Sequence, residues 1–374
     1  MDYMHLVALR RDIHAHPELG YAEHRTADIV ANFLEELGLD VHRGIGQTGV
    51  VGILKRGNGT RIIGLRADID ALPMPDDGKQ VWKSQHEGAC HACGHDGHTT
   101  MLLGAAEYLA KHGDFNGTVC FIFQPAEEGK AGARAMIEDG LFQRFPCEQI
   151  FAVHNWPELP VGVAQTRVGA IMAAGDRFDI RVYGGGGHAA QPHLSPDTLL
   201  AASELVVQLH TIVSRSVNPV DQACLTITKF HGGTAYNMIP AEAHLAGTVR
   251  TLSHEVRTLV KNRMLEIAQH VTAMHGLKVE INYFEGYPAT INTAEAVDIA
   301  LKAATNAGLT ASEAPFSAMT SEDFSFMLQE KSGAYLWLGS GESKPLHHPA
   351  YDFNDDLIPY GVRWFVEVVR ETLR

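Results

Sequence analysis

Four groups of residues along this chain have the types and the spacing to do chemistry. The densest is Cys90-His91-Ala92-Cys93-Gly94-His95-Asp96-Gly97-His98. Thiolate, imidazole and carboxylate together suit divalent transition metals. One reading is a closed zinc knuckle built from Cys90, Cys93, His95 and His98, and another is a metal-free, His-rich surface loop. Structural zinc sites usually draw their second ligand pair from farther along the chain, so the knuckle would be cramped. The second group is Gln124-Pro125-Ala126-Glu127-Glu128-Gly129, at the end of an apolar run. Adjacent carboxylates repel, and one pKa rises unless cations sit nearby. The useful division puts one carboxylate on metal and leaves the other free to move protons. Taken alone, the pair also reads as a solvated acidic loop. The remaining groups are His154, before Asn155-Trp156-Pro157, and His347-His348-Pro349. Each by itself reads as an ordinary satisfied histidine. In combination, Cys93, His95, Glu128, His154 and His347 supply five ligands from separate segments around one crevice. Two metals sharing such a set keep open positions for water and substrate, which is a catalytic rather than a structural design. Asp70 precedes Ala71-Leu72-Pro73. It is placed either to orient a liganding histidine by accepting its other N–H or simply to form the turn.

These residues need a scaffold that delivers them to one place. Apolar runs at 61–65, 119–123, 150–153 and 335–338 each lead into a reactive residue or a loop that carries one. Helical patterns lie between them, at Thr99–His112 and Ala131–Asp139, with the metal-type cluster just ahead of the first. Two more helices are expected at the start, one through Leu6, Leu9 and Ile13 and one over Thr26–Leu37 with Gly38 as its stop. Alternation of this kind predicts an α/β domain with a mostly parallel sheet flanked by helices. Ligands of such sheets bind beyond the carboxyl ends of the strands. The middle of the chain has another texture. Strand patterns at Phe178–Tyr183, Ala223–Phe230, Ala241–Arg250 and Leu277–Phe284 alternate with helical ones at Asp197–Val213 and His254–Met274. The order β-α-β-β-α-β is ferredoxin-like. Residues 177–287 are therefore expected to form an inserted α+β domain, with 1–176 and 288–374 forming the catalytic domain.

Composition narrows the partners. Among 374 residues, 30 Lys and Arg face 44 Asp and Glu, a net charge of −14. An acidic surface repels phosphate backbones and anionic membranes, so neither nucleic acid nor membrane is an expected partner. No apolar run reaches the ~18 residues of a spanning helix, and Met1-Asp2-Tyr3-Met4-His5 has no apolar signal core. A cytoplasmic location is the expectation. Five cysteines in a long chain argue against a disulfide framework and for a ligand or a nucleophile. Histidine is abundant, at 21 residues.

The motifs form an ordered set. It comprises His-Pro-Glu-Leu-Gly (16–20), Arg-Ala-Asp-Ile-Asp-Ala-Leu-Pro (66–73), Cys-Gly-His-Asp-Gly-His-Thr (93–99) and Gln-Pro-Ala-Glu-Glu-Gly (124–129). It continues with Gly-Gly-His-Ala-Ala-Gln-Pro-His (186–193), Asn-Met-Ile-Pro (237–240), Ser-Glu-Asp-Phe-Ser (321–325) and His-His-Pro-Ala-Tyr-Asp-Phe (347–353). Over nearly its whole length the chain resembles the dinuclear metallopeptidases that include aminoacylase and carboxypeptidase G. Within them it is most similar to the amidohydrolase branch of hippurate hydrolases and indole-3-acetyl-amino-acid hydrolases. The resemblance implies that Cys93, His95, Glu128, His154 and His347 bind two divalent transition ions per subunit (Mn, Zn, Co or Ni). It makes Glu127 the general acid/base and Asp70 the support of the metal site. Asp68 stands where the peptidase branches have a liganding histidine, as the amidohydrolase branch has it, and is not read as a ligand. His347 is preferred to His348. The inserted domain becomes a lid and a dimerisation surface, giving a homodimer or a dimer of dimers. His188 would reach the partner subunit's site and assist the oxyanion. Asn237, Arg250 and His193 would bind substrate, the first two through its carboxylate. Only thirteen residues separate Asn237 from Arg250, so both could face one cleft.

The expected function is hydrolysis of N-acyl amino acids to a carboxylic acid and a free amino acid, by metal-activated water with Glu127 as general acid/base. The rival readings are a dipeptidase or carboxypeptidase on the same metal centre and a non-catalytic ligand-binding relative. A thiol hydrolase using Cys93 and His95 is weaker still.

Overall fold

Parallel strands buried on both faces read as near-continuous apolar runs, and four stretches of this chain do. In a computed structural model that describes residues 3–374, they form the centre of one eight-stranded sheet. Met1 and Asp2 of the N-terminal start lie outside the described residues. Ile62–Asp68 pairs in parallel with Gly117–Gln124 on one side and Gln149–Trp156 on the other, and Ser332–Gly339 continues in parallel beyond the latter. The antiparallel strands Asp40–Ile45 and Gly49–Arg56 extend one edge. Val163–Thr166 and Thr310–Glu313 extend the other. The edge strands were not foreseen. Asp40–Ile45, Val163–Thr166 and Thr310–Glu313 are short or half exposed and lack the continuous apolar run that marks the centre, whereas Gly49–Arg56 is mostly buried and apolar over Val50–Leu54. Helices Met4–Ala15, His95–His112, Ala294–Asn306 and Ile358–Thr372 pack with the sheet around a core that includes Leu65, Phe121, Phe151, Leu336 and Trp364.

The four central strands run the same way, so their carboxyl ends share one edge. That edge carries Asp68, the Glu127–Glu128 loop and His154. The metal-type cluster does not precede its helix as expected. The helix begins at His95, so His95 and His98 lie in its first turn. Gly94, at φ 92°, makes this early start, since a residue with a Cβ resists that conformation.

A second compact unit spans Met172–Thr290 with Ser317–Glu322; the first runs to Ile171 and takes in Ile291–Phe316 and Asp323–Arg374. The first strand of this unit starts at Ala174, four residues before Phe178. Its sheet is wholly antiparallel, in the order Ala223–Gly232, Glu242–Thr251, Ala174–Tyr183, Lys278–Phe284. Phe178, Ile180 and Val182 alternate with Arg177, Asp179 and Arg181, and their apolar face packs under helices Thr198–Thr211 and His254–Met274. Asp197 caps the first helix by accepting from Leu199 and Leu200 N–H, and Ser253 caps the second through Val256 N–H. The chain order is the β-α-β-β-α-β expected of it. Among the described residues, no helix is long and apolar enough to cross a membrane.

Candidate metal centre and catalytic loop

The cluster residues and the strand-end residues meet. Three groups of potential ligand atoms, each within 4.8 Å of one another, are Cys93–His95–His154, Cys93–Glu128–His347 and His95–Glu127–Glu128. Cys93 is common to the first two and Glu128 to the last two. All five expected ligands and the expected base are thereby brought together. Cys93 Sγ lies 3.5 Å from His154 Nε2, and His347 Nε2 lies 3.2 Å from Glu128 Oε1. His347 takes a left-handed backbone, φ 63°, and its N–H donates to the Ala92 carbonyl. His348 instead accepts the Ala350 N–H on its Nδ1.

The histidines are oriented as ligands. His95 Nδ1–H donates to the Asp70 carbonyl oxygen at 2.9 Å, with Asp70 Oδ1 at 3.2 Å. That leaves His95 Nε2 buried and without a hydrogen-bond partner. His154 donates from Nδ1 to the Asn155 carbonyl oxygen at 2.7 Å, so its Nε2 faces the cluster. Asp68 Oδ2, at 3.7 Å, is too far to bond it, and a buried imidazole nitrogen without a hydrogen bond is costly unless something binds it. A divalent cation fits this donor set of sulfur, nitrogen and oxygen. Asp70 also accepts the Glu128 N–H on Oδ2 at 3.0 Å, so one carboxylate orients two ligands.

Asp68, His95 and His98 make a fourth cluster with ligand-type spacing. Two of its members, Asp68 and His98, are already engaged. Asp68 accepts from His98 Nδ1–H on one oxygen at 2.6 Å and from Arg66 Nη1 on the other at 2.8 Å. His98 Nε2 lies 2.6 Å from Asn155 Oδ1. Asp68 therefore serves as a buried counter-charge.

Electrostatics follow from burial and crowding. Burial alone would raise the Asp68 carboxyl, but His95, Arg66 and His98 outweigh it and hold it well below the usual range. Burial pushes the Cys93 thiol up, and Glu128 adds to this. His154 is pushed well down by burial and then by His98. Hydrogen bonding to Cys93 and Glu128 raises His347 to about 10. The thiol is thus poised to hold its proton until a cation displaces it; a coordinating thiol is deprotonated outright.

Family comparison agrees with this chemistry. The pattern of peptidase family M20/M25/M40 matches residues 64–371. The chain belongs to that family. It is 42% identical over 370 residues to the hippurate hydrolase of Campylobacter jejuni, covering 98% of this chain and 96% of the relative. It is 36% identical over 375 residues to an N-acetylcysteine deacetylase of Bacillus subtilis, covering 99% and 98%. A solved structure of a dinuclear metal binding peptidase of the M20 family from Bacillus subtilis matches with a TM-score of 0.88 at 32% identity, covering 99% of this chain and 98% of its own. This M20 chain falls in the amidohydrolase branch and is a metal-dependent hydrolase.

The remaining site residues lie in the inserted unit. His188, exposed, pairs across a two-stranded ladder with Met238, and the Ala189 N–H donates to the Asn237 carbonyl. His193 is exposed in a short 3-10 turn, Pro192–Leu194. Arg250 sits at the other end of the strand Glu242–Thr251, where Nη1 donates to the Val249 carbonyl at 3.0 Å. The strand separates Glu242 from Arg250 by about 26 Å at roughly 3.3 Å per residue, and Asn237 lies beyond the Glu242 end. One inserted unit therefore does not bring Asn237 and Arg250 to one carboxylate. The expectation that both could face the same cleft counted residues without the direction of an extended strand.

Sequence reasoning missed the buried framework beneath the centre. Arg66 donates from Nε to Gln124 Oε1 at 2.8 Å and from Nη2 to Asp323 Oδ1 at 3.1 Å. Asp323 accepts the Ala133 N–H at 2.9 Å, and its own N–H donates to Glu127 Oε1 at 3.3 Å. The signal was present: an arginine inside an otherwise apolar buried strand requires an anion.

Proposed function

We propose that this M20 protein hydrolyses the amide bond of N-acyl amino acids, releasing a carboxylic acid and a free amino acid. The observation that carries this is the pairing of Glu127, a buried carboxylate at the ligand cluster, with Glu128, which shares a ligand group with Cys93 and His347. A pure metal binder needs no second carboxylate there. The named activities of the Campylobacter and Bacillus relatives support the same substrate class.

Cys93, His95, Glu128, His154 and His347 would hold two divalent ions, drawn from Mn, Zn, Co and Ni. When bound, the ions polarise the amide carbonyl and lower the pKa of water. Glu127 takes the proton from the attacking water and delivers it to the leaving amine. Asp70 keeps His95 in the tautomer that presents Nε2 and fixes the Glu128 backbone. Asn237 and Arg250 receive the substrate carboxylate, for which the guanidinium fork is suited, with His193 close in sequence to His188. His188 assists the oxyanion, a role often worth about 3 kcal/mol.

The strand-length separation of Asn237 from Arg250 supports a site completed by a second copy. The inserted unit has surfaces for that assembly. Ala223–Gly232 is an edge strand with Phe230 exposed, and helix Thr198–Thr211 exposes Leu200 and Val207. An unpaired edge beside apolar side chains is a template for pairing. Turnover of matched N-acyl amino acids and dipeptides tests the substrate reading. Cleavage of the N-acyl compounds is expected to dominate; preference for the dipeptides would assign the chain to peptide hydrolysis.

A further inference from the structure

The motif His16–Gly20 and the residues after it have no part in the chemistry above, yet they touch the loop that performs it. Gly20 packs so close that a Cβ there would meet Ala126 Cα at 3.0 Å. Lys130 Nζ donates to the Gly20 carbonyl at 2.6 Å, and Tyr21 hydroxyl donates to the Lys130 carbonyl at 3.0 Å. The Ala71 N–H, next to Asp70, donates to the Glu18 carbonyl at 2.8 Å. Glu23 is fully buried. One of its carboxylate oxygens accepts the Ala126 N–H at 2.8 Å, and the other accepts the Thr48 hydroxyl at 2.6 Å.

Ala126 immediately precedes Glu127 and holds a left-handed backbone, φ 54° and ψ 40°. A residue with a Cβ stays in that region only when its surroundings over-determine it. The left-handed turn directs the chain from the buried strand Gly117–Gln124 into the two carboxylates. With the Ala126 amide released, the backbone would relax toward a commoner conformation and re-aim both side chains.

We propose that Glu23 is a positioning residue of the catalytic loop, which fixes the Ala126 amide and through it the aim of Glu127 and Glu128. Asp70 clamps the same loop from the metal side through the Glu128 N–H, so two buried carboxylates grip alternate amides. The proposal rests on the reading of Glu127 as the proton carrier and Glu128 as a ligand. Its test therefore includes metal affinity, which is measured without turnover.

Full-length Glu23→Leu and Glu23→Gln proteins are compared with wild type by circular dichroism, by kcat and KM, and by zinc affinity in chelator competition. Glu23→Leu is expected to lower kcat about 10²-fold at little-changed KM, as misplacement of a reacting group does. It should also weaken zinc binding by about 10–100-fold. Glu23→Gln keeps an oxygen that accepts from Ala126 and should restore both toward wild type. A folded Leu variant with wild-type kcat and zinc affinity would overturn the proposal, as would a Gln variant damaged as severely as Leu. If Glu23→Leu does not fold, Thr48→Val removes the hydroxyl that orients Glu23. It must then lower kcat at unchanged KM, and wild-type kinetics there also overturn the proposal. A wild type that binds zinc but turns over no N-acyl amino acid would defeat the hydrolase reading alone, and the zinc arm would still decide the role of Glu23.

Discussion

The proposed mechanism divides its labour between two neighbouring glutamates. Glu127 is buried and accepts the Asp323 N–H, while Glu128 faces His347 and has its backbone held by Asp70. Glu127→Gln should keep its metal and lose kcat by about 10²–10⁴-fold, the usual contribution of a positioned acid/base. Glu128→Gln should lose metal affinity. Metal analysis and kinetics on the two variants check this, and the reverse pattern would mean the roles are exchanged. The ligand candidates were legible because Cys, His and Glu stand out when they cluster at the ends of apolar runs. Glu23, Asp323 and Asn155 were not, because an isolated Glu, Asp or Asn shows its role only when the amide or ring it contacts is known. Asp68 was kept out of the ligand set by resemblance. In the structure its two oxygens accept from His98 and Arg66.

At the scale of elements, the first turn of helix His95–His112 positions the centre, and Gly97 lets that turn approach Phe353. A Cβ at Gly97 would come within 2.3 Å of the Phe353 ring, which is itself buried. A buried aromatic ring in a close-packed core has little room to give. Gly97→Ala should therefore destabilise the fold by about 1–3 kcal/mol, as overpacking does, and weaken metal binding by moving His95. Denaturant titration and chelator competition measure the two effects, and wild-type values in both would show that the turn is not held by this contact. The central strands and the ferredoxin-like order were readable from apolar runs and alternation. The helix start was not, because His95-Asp96-Gly97-His98 is polar in sequence yet fully buried. Buried polar residues, such as Asp96 bonded to His14 and His98 bonded to Asp68, break the periodicity by which a helix is recognised. The hairpin Asp40–Ile45 and Gly49–Arg56 was missed for the opposite reason: its outer strand is half exposed and lacks a strict alternation.

At the scale of the whole molecule, the proposed reaction would draw its active site from two copies of one fold. His188 and Asn237 lie at one end of the inserted sheet and Arg250 at the other, so a single substrate that meets all three draws on two chains. Mixing inactive His188→Ala with inactive Glu127→Gln protein and allowing subunit exchange should then restore activity. Statistical exchange leaves one intact site in each mixed dimer, which sets a ceiling of about a quarter of wild-type activity per subunit. Mixed dimers no more active than the two variants assayed apart would place His188 within its own chain. The central claim is narrower than this assembly: the Cys93, His95, Glu128, His154 and His347 cluster makes the chain a metal-dependent hydrolase of N-acyl amino acids. The most direct measurement follows release of free amino acid from an N-acyl amino acid by protein stripped with a chelator and then reloaded with Mn, Zn, Co or Ni. The account predicts no turnover in the stripped protein and recovery with at least one of these ions. Full turnover in rigorously metal-free protein would contradict it.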